Sequence, residues 1–91
     1  KVYVSAKSTA FTAAVGFTYL VNTGTAVTVT LPSAVTNAAI VFKDSTGTAA
    51  TNNITINRAD SATIDGATSQ TISSNYGSMK LISDGTNWFI T

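Results

Sequence analysis

Short runs of alternating apolar and polar residues, broken by turn-forming residues, fill almost the whole chain. In KVYVSA (1–6) Val2 and Val4 alternate with Tyr3, and in GFTYLVN (16–22) Phe17, Tyr19 and Val21 share one face. AVTVTLPS (26–33) sets Val27, Val29 and Leu31 against Thr28 and Thr30. A period of two is that of an extended strand with one buried face. Between the last two runs lies NTGT (22–25), whose Gly24 can take a positive φ. The two runs therefore read as a hairpin, closed by Pro32, which has no N–H for a ladder.

Further along, AVTNAA (34–39) reads as a connection, AIVFKDS (39–45) as a nearly continuous apolar strand and DSTG (44–47) as a turn. ITINR (54–58) places Ile54 and Ile56 on one face. TIDGATSQTIS (63–73) carries an Asp65-Gly66 turn, and SSNYG (73–77) is another. SMKLIS (78–83) then pairs through Asp84-Gly85 with NWFIT (87–91). No segment has sustained helical periodicity, and AKSTAFTAA (6–14) reads as extended, so residues 1–15 are expected to form an arm. The pattern predicts an all-β fold, a small antiparallel β-sandwich or barrel of about 7–8 strands. At 91 residues the chain, 1–91, is a single β domain.

Composition narrows the chemistry. There is no Cys and no His, which removes disulfides, thiolate sites and most zinc, copper and haem ligation. Lys and Arg number 5 against 4 Asp and Glu, and the net charge of +1 is too small to hold a nucleic acid or an anionic membrane. No apolar stretch approaches the roughly 18 residues of a membrane span. Thr, Ser and Asn supply a surface of hydroxyls and amides, a composition common on extracellular and virion proteins.

Candidate chemistry is correspondingly thin. Asp60 and Asp65 in ADSATIDG could pair as acid and base or help hold calcium, but Asp65-Gly66 reads as a turn and Asp60 as a solvated loop residue. A Ser-His-Asp triad is impossible, and no phosphate-binding glycine loop is present. The expectation is a protein that is not an enzyme and has no cofactor or metal. Binding is better served: Tyr76 and Trp88 could stack on sugar rings, with the Asn75 and Asn87 amides beside them. The competing reading puts Trp88 in a core or interface and Tyr76 against its own hairpin.

NWFI and AIVFK carry apolar side chains on both faces, as expected where a small domain's core meets a neighbouring subunit. Phe42, Leu81, Trp88 and Phe89 are the candidate subunit interface, with a homotrimer as the expected assembly.

The ordered set "VTVTLP", "FKDSTG", "NITI", "TIDG", and a Tyr before "LISDGTNW", across residues 26–56 and 63–90, resembles a module of bacteriophage tail fibre and other virion fibre proteins. The family's usual basic or glycine residue after "TNA" is absent here, where Ala38, Ala39 and Ile40 follow. The resemblance implies a β-domain at or near the C-terminus of a fibre, with residues 1–15 linking to an upstream fibre region. It further implies a parallel homotrimer, a place in the virion outside the cell, and attachment to a host polysaccharide or protein receptor. It supplies no catalytic residues. Two other roles share these features: a structural trimerisation, capping or head-decoration domain, and the non-catalytic end of a polysaccharide-degrading tailspike.

Overall fold

The computed structural model describes residues 2–91. It contains nine strands and no helix among the described residues: β1 (Tyr3–Lys7), β2 (Phe11–Thr12), β3 (Phe17–Val21), β4 (Val27–Thr30), β5 (Thr36–Asp44), β6 (Ile54–Asn57), β7 (Ser69–Ile72), β8 (Ser78–Asp84) and β9 (Trp88–Ile90). They form a five-stranded sheet in the order β1-β3-β5-β8-β9 and a four-stranded sheet in the order β2-β4-β6-β7. The alternation in the sequence decides the faces. Tyr19, Val21, Ile40, Phe42 and Leu81 from the first sheet meet Val27, Val29, Ile54 and Ile56 from the second in one shared core. Each such side chain taken out of water stabilises by about 1.5–3 kcal/mol, which a cysteine-free domain depends on.

The expected antiparallel pairing is corrected for the first half of the chain. β1 with β3, β3 with β5, β2 with β4 and β4 with β6 are all parallel. The chain crosses from one sheet to the other after every strand from β1 to β5, so it re-enters each sheet in the same direction. The predicted hairpin of 16–22 with 26–33 is therefore not a hairpin. Its strands β3 and β4 lie in different sheets, and NTGT is the crossing between them. Antiparallel pairing appears only in the second half, in β5 with β8, β6 with β7, and β8 with β9.

Two further expectations change. Of the residues 1–15 expected as an arm, Lys1 lies outside the described residues and the rest include β1 and β2, the first strands of the two sheets, with Tyr3 and Phe17 facing each other at ring centroids 5.3 Å apart. The stretch 34–39 is not simply a connection, because β5 begins at Thr36. Asn37, at φ 61°, bulges out of the ladder there. The β8–β9 hairpin through Asp84-Gly85 forms as the sequence predicts, with Ile82 opposite Phe89 and Ser83 opposite Trp88.

Candidate functional site

At one end of the sandwich the loops after β3, after β5 and before β8 converge on Asp44. Its carboxylate is fully buried. Oδ1 accepts from the Thr23 hydroxyl at 2.7 Å and from the Thr46 and Gly47 N–H groups, each at 3.0 Å. Oδ2 accepts from Ala49 N–H at 3.0 Å and Tyr76 N–H at 2.9 Å. Burial alone would push this carboxyl up; the Gly47 N–H, the Thr23 hydroxyl and the Tyr76 and Thr46 N–H groups overcome that and hold it far below the ordinary carboxylate range. The charge is thus stabilised by donors drawn from three loops at this end.

Thr23, also fully buried, extends the network. Its carbonyl accepts from the Thr48 hydroxyl at 2.7 Å and the Asn52 amide at 2.9 Å. The two turns that punctuate the sequence, NTGT and DSTG, are therefore halves of one buckle.

On this buckle rests Tyr76, at φ 58° and 59% exposed. One face of its ring covers Gly47, where an added Cβ would come within 2.5 Å of the ring. Lys43 donates to the Tyr76 carbonyl, and its ammonium lies 6.0 Å from the ring centroid. Beside it the Asn75 side chain accepts from Ala50 N–H at 3.0 Å. The result is an aromatic platform held from below, with its ring largely open to solvent.

Asn87 and Trp88 sit elsewhere. β5 pairs with β8 from Lys43 opposite Ser78 to Thr36 opposite Asp84, so Asn75-Tyr76 and Asn87-Trp88 lie at opposite ends of β8. Its seven residues separate them by roughly 20 Å. The four predicted sugar contacts do not form one site. Asn87 is occupied structurally, its carbonyl oxygen accepting from Thr63 N–H at 2.8 Å and from the Thr63 hydroxyl at 3.2 Å.

Trp88 is 1% exposed and presents no ring face to a ligand. Its indole N–H is buried without an acceptor. Trp88, Phe42 and Leu81 are all enclosed by the chain's own core, which accounts for them without a neighbouring subunit. Of the four candidate interface residues only Phe89, 40% exposed, faces outward. The two-sided hydrophobicity of NWFI resolves into Trp88 inside its own chain and Phe89 on the outer face of the five-stranded sheet.

The remaining carboxylates serve as loop acceptors. Asp60 accepts from Ala62 N–H at 3.0 Å and from the Ser33 hydroxyl at 3.2 Å, and Asp65 from Ile90 N–H at 3.2 Å. Asp84 accepts from Thr86 and Asn87 N–H, each at 2.9 Å, and these bonds hold its carboxyl below the ordinary value. Among the described residues no three His, Cys, Asp or Glu side chains gather as a metal site would need. Sequence reading took DSTG as an ordinary turn and so missed Asp44 and Thr23. The available signal was an Asp closing an otherwise apolar strand at an inward position.

No curated protein matches the chain. A family model, described as bacteriophage T4 gp9/10-like protein, N-terminal, matches residues 1–87. With nearly the whole of this two-sheet domain matched, the chain belongs to the bacteriophage T4 gp9/10-like family, a family of phage structural proteins.

Proposed function

We propose that this domain is a structural, self-associating module of a virion fibre, acting as a homotrimer and performing no catalysis. The observation that carries the reading is what happens to its polar chemistry. Asp44, Asp60, Asp65, Asp84 and Asn87 all accept hydrogen bonds that tie loops to strands or to one another. Groups spent in this way hold a rigid building block together and leave little for reaction chemistry. Family membership adds the virion context. Light scattering at micromolar concentration should give about three times the chain mass of 9.3 kDa, and a clean monomer would sink the trimer.

A second reading, attachment to a host-surface glycan at the distal part of the fibre, is favoured by one feature, the Tyr76 platform. An exposed ring with a cation and amides nearby suits the mixed C–H and hydroxyl faces of a sugar. A glycan array read with the native chain and with Tyr76→Ala tests it. Reproducible binding lost in the variant supports attachment, and no binding by the native assembly counts against it.

A further inference from the structure

The two outer faces of the sandwich differ in kind. On the four-stranded sheet the outward positions are Thr28, Thr30, Thr55, Asn57, Ser69 and Thr71, all hydroxyl or amide side chains. On the five-stranded sheet the corresponding positions include Val4, Leu20, Val41, Ile82 and Phe89. Both faces obey the same strand alternation, so strand formation does not explain the difference. A solvated face should resemble the first; the second has the make-up of a covered surface.

This face carries both a hole and a knob. A groove of about 200 Å³ is lined by Val2, Gly16, Thr18, Ala39, Val41 and Lys80, spanning β1 to β8. Beyond Lys80, Ile82 and Phe89 stand side by side as a cross-strand pair and remain 41% and 40% exposed. Because hole and knob occupy different parts of one face, a rotated copy of the same chain can seat its knob in the other's hole. No other partner has to be invoked to supply the complementary shape.

Area is of the required order. The five strands, of 3 to 9 residues each and roughly 4.8 Å apart, present on the order of 460 Å² in projection, and more as corrugated accessible surface. A specific interface needs about 500 Å² on each partner. Charge is sparse on the face: Lys43 is already bound to the Tyr76 carbonyl, and Lys80 lines the groove.

We infer that a second copy of this chain packs on the outer face of the five-stranded sheet, Ile82 and Phe89 of one copy entering the groove between Val2 and Lys80 of the next. This rests on the self-association proposed above and adds the surface through which it occurs.

The test measures mass by sedimentation for the full chain and three variants, Val4→Lys, Ile82→Lys and, on the opposite face, Thr55→Lys. Thermal melts confirm that each is folded. The expected result is an assembled native chain, loss of assembly in the first two variants and none in the third. Assembly that survives both face substitutions, or that fails only in Thr55→Lys, overturns the surface while leaving self-association intact. A monomeric native chain removes self-association and the surface with it. Because the chain has no cysteine, a second measurement is independent of these variants. Equimolar Phe89→Cys and Val2→Cys chains should join through a short bismaleimide, whereas pairs made with Thr55→Cys should not. Equal yields from both pairs would refute the proposed contact.

Discussion

The hydroxyl of Thr23 donates to the carboxylate of Asp44 at 2.7 Å, across 21 residues of sequence, with both side chains fully buried. This bond joins the crossing after β3 to the loop after β5, and the Tyr76 N–H, donating to the same carboxylate, joins both to the segment before β8. In consequence the crossings that make the first half of the sandwich parallel are locked to the antiparallel second half at one carboxylate.

Asp44→Asn keeps the shape but replaces one acceptor oxygen with an NH₂ facing N–H groups. Several buried donors lose their partner, and each hydrogen bond to a charged group contributes about 1.5–3 kcal/mol. The expected cost is about 3 kcal/mol in urea unfolding, against less than about 0.5 kcal/mol for Asp60→Asn at the surface. Equal midpoints for the two variants would contradict the buckle.

Acid should loosen the domain in a defined direction. The Asp44 carboxyl is held below its unfolded value of about 3.9, so the unfolded chain takes up the proton first. Its stabilisation is complete above that value and is lost progressively as pH falls below about 4 toward the folded-state value. Chemical unfolding followed from pH 6 to pH 2 should show a steeper fall in stability for the native chain than for Asp44→Asn.

Gly47 and Tyr76 should be energetically coupled. Gly47 has φ 91° and its missing Cβ leaves the space that the Tyr76 ring covers. Gly47→Ala should cost about 1–3 kcal/mol, partly backbone strain and partly collision with the ring. Tyr76→Ala removes the collision but not the strain. The double variant should therefore be more stable than the sum of the single effects requires, by at least about 0.5 kcal/mol in a double-mutant cycle.

Trp88 should behave as a core residue. Trp88→Ala is expected to cost about 3–5 kcal/mol through the cavity it leaves. Trp88→Phe should cost much less, because the smaller ring also removes a buried N–H that has no acceptor. Its emission should be blue-shifted, resist iodide quenching and stay unchanged when sugars are added. Ready quenching would place the ring at the surface instead.

Much of the architecture is legible along the chain because a strand's side-chain alternation is a local property. The runs at 17–21, 27–30 and 54–57 have the inward faces that their Val, Ile and aromatic residues indicate, and the final hairpin follows from Asp84-Gly85. Of the candidate contacts, Tyr76 is exposed as a platform must be, while Trp88 and Asn87 are absorbed by the fold. ISDGTNWFIT shows why: two apolar faces can be read from its alternation, but not which one lies against the chain's own core.

The sequence by itself determined an all-β domain, the positions of most strands, the face each turns inward and the poverty of titratable chemistry. These depend on residue type and on neighbours two positions apart. Only the tertiary structure decided that β3 and β4 part into different sheets, that the early strands stack in parallel, and that Asp44 gathers five donors. Alternation specifies a side chain's face but not the strand beside it, and Asp44's partners, Thr23 to Tyr76, become neighbours only when the loops at that end close together.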